Sequence, residues 1–354
     1  MFNPERVELV RRRLGLTKTG FAQRLGVDRK TIQRFEKGEY DLPEAAKAKL
    51  LEVSGYPAPF FGRPTPEYPN ANAVSFRSLR SLTASSRDAA MAAGSHAYDL
   101  NDWIQLRYDL PAHDLIVDRD LAPVEAALRL RAHWGIGNRP ISNMLNLLEA
   151  HGVRVFSLVE ETRHLDAYSL WRNDEPYVFL NTLKTAERSR FDAAHELAHL
   201  VMHRHVGSGH PSAEAEADAF ASAFLMPPAD LRAEIPRVRS LNDIIVKKRR
   251  WGVSAAALAY TLHKAGRISD WTYRGFCIEL GKHGRSYEPN PMPREVSQVW
   301  TKVLTDLWRQ GVSVSRLAQQ LDLPEREINA LLFGIAAPPV TSGPGEVSKL
   351  RLVN

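Results

Sequence analysis

His195-Glu196-Leu197-Ala198-His199 places two imidazoles four residues apart, with a carboxylate directly after the first. On a helix, residues i and i+4 share a face, so His195 and His199 can grip one cation from adjacent turns while Glu196 reaches a water bound to it. That combination is suited to metal-assisted hydrolysis, with Glu196 as general base. The required helix is legible. The stretch from Arg188 to His205 contains neither proline nor glycine, and Phe191, Ala194, Leu197, Ala198, Val201 and Met202 form its apolar part. Two histidines on an ordinary core helix would match the same five residues by chance; the helical context argues for the metal.

A catalytic zinc takes three protein ligands and leaves a fourth position for water. Two residues compete for the third place. His205 lies ten residues after His195, as in the metzincins, but Met202 stands where their chain-reversing glycine belongs. A helix would therefore carry His205 away. Glu214 opens a second run, Glu214-Ala215-Glu216-Ala217-Asp218-Ala219-Phe220-Ala221, whose small residues permit close packing on the first helix. Thermolysin-like sites take a glutamate from such a helix, so Glu214 is favoured, with Glu216 as the fallback. Asp218, one turn further on, can orient a metal-bound histidine. Tyr168, His210 and Arg188 are candidates for a second group on the oxyanion.

The run Arg188-x-Arg190-Phe191-x-x-Ala194-His195-Glu196-Leu197-Ala198-His199-Leu200, followed by Glu214-x-x-Ala217-Asp218-x-Phe220-Ala221-x-x-Phe224-Leu225-Met226-Pro227, resembles the ImmA/IrrE family of metallopeptidases over about Arg129 to Pro228. The resemblance implies His195, His199 and Glu214 as zinc ligands and Glu196 as base. It also implies a protein substrate, because members of that family are associated with cleaving or inactivating Cro/cI-like repressors. The gap between the second histidine and the ligand glutamate is shorter than in some relatives, which leaves little room for a lid.

Strand-like runs at Val153 to Leu158, Ala167 to Trp171 and Tyr177 to Asn181 precede the histidine helix, with helical Ala122 to Trp134 and Ile141 to Ala150 in front of them. A small antiparallel sheet against the site helices is expected. The Val178 to Asn181 region, or its neighbour, should be the edge strand that pairs with an extended substrate.

A second chemistry begins near the N-terminus. Pro4 to Leu14, Lys18 to Leu25 and Arg29 to Lys37 read as helices separated by turns at Gly15 and Gly26, with Thr17 and Asp28 as N-caps. The pattern Leu16, Thr17, Lys18, Phe21, Ala22, Leu25, Gly26, Val27, Ile32, Glu36, Gly38 resembles the Cro/cI-type helix-turn-helix regulators. Such a domain lays its third helix in the major groove. Arg29, Gln33 and Arg34 are then suited to base edges, and Lys18, Lys30 and Thr31 to phosphates. Gly20 inside the second helix costs on the order of 1 kcal/mol relative to alanine.

The rest of the chain joins these modules. Pro57, Pro59, Pro64, Pro66 and Pro69 mark a connector in which neither helix nor central strand should persist, with Phe60 and Phe61 as anchors. Residues 312–332 repeat a helix-turn-helix rhythm, but Glu325 and Glu327 occupy the would-be recognition segment, so a helical interaction role is expected there. Lys247-Lys248-Arg249-Arg250 reads as a solvated helix face, and the segment from Pro338 onward as a mobile tail. The expected fold is α+β and mostly helical: an all-α helix-turn-helix domain (1–54), a Pro-rich linker (55–74), a thermolysin-like zincin domain with a small antiparallel sheet (75–266), and a helical C-terminal region (267–354).

Cys277, the single cysteine, excludes a disulfide framework or a multi-thiolate site, and 12 histidines leave imidazole as the available ligand. No export signal and no apolar run of spanning length is present, so a cytoplasmic location and no membrane partner are expected. The net charge of +6 permits nucleic acid. The expected function is a DNA-binding regulator that carries a zinc endopeptidase, with operator DNA and a Cro/cI-like repressor as partners. A homodimer reading two half-sites about 34 Å apart is expected. The alternatives are a regulator whose zincin-like domain senses without cleaving, and an antitoxin or phage immunity component.

Overall fold

Capping side chains set the helix starts. Thr17 accepts from Gly20 N–H at 3.1 Å and Asp28 from Thr31 N–H at 2.9 Å, which fixes α2 (Lys18–Leu25) and α3 (Arg29–Glu36) behind α1 (Pro4–Arg13). Gly20 therefore lies in the first turn of α2, held by its cap, rather than deep inside it. Phe21, Ala22, Leu25, Ile32 and Phe35 interlock as the core of this head, closed by α4 (Glu44–Ser54). The computed structural model from which these contacts come describes residues 2–69, 83–158, 167–204, 211–282, 284 and 287–336.

The connector departs from expectation. It contains a short helix, α5 (Ala58–Gly62), because Pro57 and Pro59 fall at the helix start, where a missing N–H costs nothing. Phe60 and Phe61 are fully buried, and Tyr56 donates to or accepts from His96 at 2.7 Å. His96 belongs to α6 (Ala84–Gln105), against which α1 also packs.

The sheet is mixed rather than antiparallel. Its order is β1 (Arg154–Ser157), β3 (Glu175–Leu180), β2 (Ala167–Arg172), with β1 parallel and β2 antiparallel to β3. Asn173 and Asp174, both at positive φ, make the tight turn that locks β2 against β3. The Val178 to Asn181 segment is therefore mostly central strand, and among the described residues its neighbours β1 and β2 are the outer strands. Burial explains the placement, since Tyr177, Val178, Phe179 and Leu180 are all buried, the continuous apolar run of a strand covered on both faces. On one face Tyr168 and Tyr177 reach α6, through Ala90 O at 3.2 Å and Asn101 Nδ2 at 2.8 Å. On the other lie α9 (Ala186–Met202) and α10 (Pro211–Leu225), backed by α7 (Pro123–His133) and α8 (Met144–Ala150). Gly152, at φ +77°, brings the start of β1 so close to the backbone of Ala112 and His113 that a Cβ would fall within 2.3 Å of His113 N.

The chain after the two site helices, α11 (Pro228–Glu234) to α13 (Ala255–Lys264) and α14 (Asp270–Gly281), returns to the front. Buried Glu187 on α9 accepts from Lys248 Nζ at 3.0 Å and Met292 N–H at 2.8 Å, and buried Arg190 pairs with Glu295. Lys248 is thus an internal ion-pair partner, not part of a solvated face. From this anchor the chain enters α15 (Gln298–Arg309), where Trp300 donates to Val155 O at 3.1 Å and covers β1. The rhythm at 312–332 is α16 (Val314–Gln320) and α17 (Glu325–Leu332). These helices interact with the chain itself: Glu327 accepts from Arg13 at 2.8 Å, Arg326 donates to Ser54 O, and Arg63 donates to Leu321 O at 2.6 Å. The acidic residue that argued against phosphate contact there serves the N-terminal helical head instead. Among the described residues no helix is long and apolar enough to cross a membrane. The segment from Pro338 lies outside the described residues.

Candidate metal centre

Both histidines sit on α9, whose Ala193, Ala194, Leu197 and Ala198 are buried against the sheet and α10. Small residues on α10, among them buried Ala217 and Ala221, let the two axes approach. The result is a cluster of His195, His199 and Glu214 with donor atoms within 4.8 Å of one another. The Nε2 atoms of His195 and His199 are 3.1 Å apart, and the Glu214 oxygens lie 3.4 Å from the first and 3.7 Å from the second. In a tetrahedral site with bonds of roughly 2.0 to 2.1 Å, neighbouring ligands are separated by about 3.3 Å. The three spacings bracket that value, so the donor set fits a zinc-sized ion.

The outer nitrogens support the same reading. His195 Nδ1 meets Asp218 Oδ1 at 3.0 Å, so the carboxylate fixes the ring with Nε2 facing the cluster. Burial opposes charge on His195, but the carboxylates of Asp218 and Glu214 outweigh it and push the imidazole up to about 10. His199 goes the other way, held well below the ordinary histidine value by burial and by the neighbouring rings of His195 and His203.

Glu196 is buried, and its Oε2 accepts from the Ser169 hydroxyl at 2.7 Å. Ser169 sits on outer strand β2, one residue from Tyr168, whose side chain takes the opposite face of the sheet. Strand alternation thus turns Tyr168 away from the cluster, and it brings Ser169, unforeseen from the sequence, to Glu196. Arg188 lies on α9 with Nε 3.2 Å from Asp192. His205 and His210 lie outside the described residues. Glu216, the fallback ligand, is not in the cluster: its Oε2 is 3.0 Å from His203 Nε2. His203 itself was missed, although its spacing of four from His199 repeats the spacing that found the first pair.

On the head, Arg29, Lys30, Gln33 and Arg34 are exposed on α3, with Arg34 over the Tyr40 ring at 5.7 Å. Thr31 is half-buried. Lys18 is bound inward to Glu36, which also accepts from Arg11 at 2.8 Å. A phosphate would have to compete with that carboxylate.

A family model described as an IrrE N-terminal-like domain matches residues 148–263, which contain the whole sheet, α9 and α10. A second, described as helix-turn-helix, matches residues 7–53. No curated protein matches the chain. The chain thus joins a helix-turn-helix DNA-binding domain to an IrrE N-terminal-like, metallopeptidase-type domain that contains the cluster of His195, His199 and Glu214.

Proposed function

We propose that this chain is a zinc-dependent endopeptidase addressed to operator DNA by its helix-turn-helix domain, and that it acts on a regulatory protein, with a Cro/cI-like repressor as the first candidate. One observation carries the reading: Glu196 follows His195 on the same helix, interacts electrostatically with it, and is buried and held by Ser169, and a purely structural zinc site has no use for such a group. Zinc bound by His195, His199 and Glu214 would lower the pKa of its water toward about 7 and polarise the scissile carbonyl. Glu196 takes the proton of the attacking water and returns it to the leaving nitrogen. Asp218 fixes the ring of His195.

At the other end, Arg29, Gln33 and Arg34 read bases from α3, Lys30 and Thr31 contact phosphates, and Lys18 does so after release from Glu36. Two copies of the chain bind the two half-sites of an operator. The test compares wild type with Glu196→Gln for metal content, operator binding and cleavage of Cro/cI-like repressors. Equal zinc in both proteins with cleavage by wild type alone is the expected result. Zinc and operator binding without cleavage of any repressor would replace this reading with that of a non-proteolytic regulator.

A further inference from the structure

Resting on the metal-centre reading above, we infer that His203 and Glu216 form a positioning arm that presents His199 to the metal in a single tautomer. His203 closes α9 one turn beyond His199, with its backbone N–H on His199 O at 3.0 Å. Its Nδ1 lies 3.0 Å from His199 Nδ1, and its Nε2 lies 3.0 Å from Glu216 Oε2. The His203 side chain is 9% exposed, so the protein supplies these partners.

Counting protons along the chain of contacts leaves one neutral arrangement. A carboxylate only accepts, so the His203 nitrogen facing Glu216 carries hydrogen. Neutral His203 then has a bare Nδ1, which can only accept. The proton between the two rings therefore belongs to His199 Nδ1, and His199 Nε2 is left as a lone pair, 3.1 Å from His195 Nε2. The arm does for His199 what Asp218 does for His195, with an imidazole inserted between carboxylate and ligand. It also accounts for both glutamates of α10, since Glu214 belongs to the cluster while Glu216 sets the hydrogen-bond direction of the ring beside it.

The full-length apo chain, titrated with zinc against a chromophoric chelator, tests this in wild type, His203→Leu and His203→Gln. Leucine fills the space without accepting a hydrogen bond; glutamine can accept from His199 and donate to Glu216. Removing such an outer partner costs on the order of 10- to 100-fold in metal affinity, and that loss is expected for His203→Leu, with recovery of most of it in His203→Gln. Nitrogen-15 NMR of the imidazoles supplies the second readout: the protonated nitrogen of His199 is expected to be Nδ1 in wild type and in His203→Gln, and to lose that preference in His203→Leu. Equal affinity in all three chains, or an equal loss in both variants, overturns the inference. If wild type binds no zinc, the metal-centre reading itself fails, a result distinct from the others. Should His203→Leu not fold, Glu216→Ala, at a side chain 41% exposed, carries the test with the same expected loss of affinity and of tautomer preference.

Discussion

Arg13 on α1 and Glu327 on α17 meet at 2.8 Å with side chains 13% and 6% exposed, far apart in sequence and nearly dry. Removing one partner of a fully buried pair costs about 3 to 5 kcal/mol, because the other charge is left uncompensated. Arg13 keeps some solvent, and Arg326 Nε lies 3.6 Å from Glu327, so each single change, Arg13→Met or Glu327→Leu, should cost about 2 kcal/mol. The double variant replaces both charges with apolar groups and should cost about 1 kcal/mol or less, a coupling of about 3 kcal/mol. Native-state hydrogen exchange at the Leu331 and Leu332 amides reads this locally, and about 2 kcal/mol corresponds to roughly 30-fold faster exchange in each single variant if these amides exchange through opening of the clasp. The pH dependence has a defined sign. Burial raises the Glu327 carboxyl, but Arg13, His96 and Arg326 outweigh it and hold the folded value below the ordinary one. The stabilisation is thus complete above about pH 4.3 and fades as pH falls through the lower, folded value, while the double variant shows no such change. Additive single and double effects at neutral pH would refute the direct contact between Arg13 and Glu327.

Gly152→Ala should destabilise the fold by about 2 kcal/mol or more, since φ is positive and the new Cβ would meet the backbone of His113; an unchanged thermal melt would contradict the packing. Gly20→Ala should stabilise the head by about 0.5 to 1 kcal/mol in urea unfolding, because the Cβ meets the Thr17 hydroxyl at 3.5 Å and Leu16 Cδ2 at 4.0 Å, both ordinary contacts, and φ is ordinary. Ser169→Ala is expected to keep its zinc and lose about tenfold in kcat in the repressor-cleavage assay, the value of one charge-assisted hydrogen bond; loss of metal would assign Ser169 a different role. Chelation should leave the far-ultraviolet dichroism intact, because the contact of α9 with α10 is apolar, yet lower the thermal midpoint by a linkage of about 4 kcal/mol at a thousandfold zinc excess over Kd.

Helices and caps were legible because their determinants are local. Thr17, Asp28 and the apolar spacing around His195 need only their own neighbours, and α2 and α3 begin where Thr17 and Asp28 put them. The pairing of His195 with His199 was legible for a related reason, since spacing on one helix is fixed by its pitch, whereas Glu214 comes from a second helix and its place in the cluster depends on how the two helices pack. Strand pairing is not local. Alternation placed residues on strands but could not say that β1 would join β3 in parallel, although the buried run from Tyr177 to Leu180 carried a hint of a central strand. Ser169 escaped because its role depends on which face of β2 meets α9. The C-terminal helices escaped for the same reason, with the contact between Glu327 and Arg13 joining opposite ends of the chain.

The anchoring of residues 288–297 to α9 bears on how far these modules are portable. Glu187 and Arg190, in the first two turns of α9, hold the segment that leads to Trp300 over β1 and then to Glu327 under the head. A gene fragment cut at the borders of residues 148–263 would strip the cover from β1 and strand Arg190 without Glu295. A head swapped for another helix-turn-helix would have to bring its own arginine for Glu327. Recombination between such proteins is therefore expected to succeed when the two ends of the chain travel together, and to fail when either is exchanged alone.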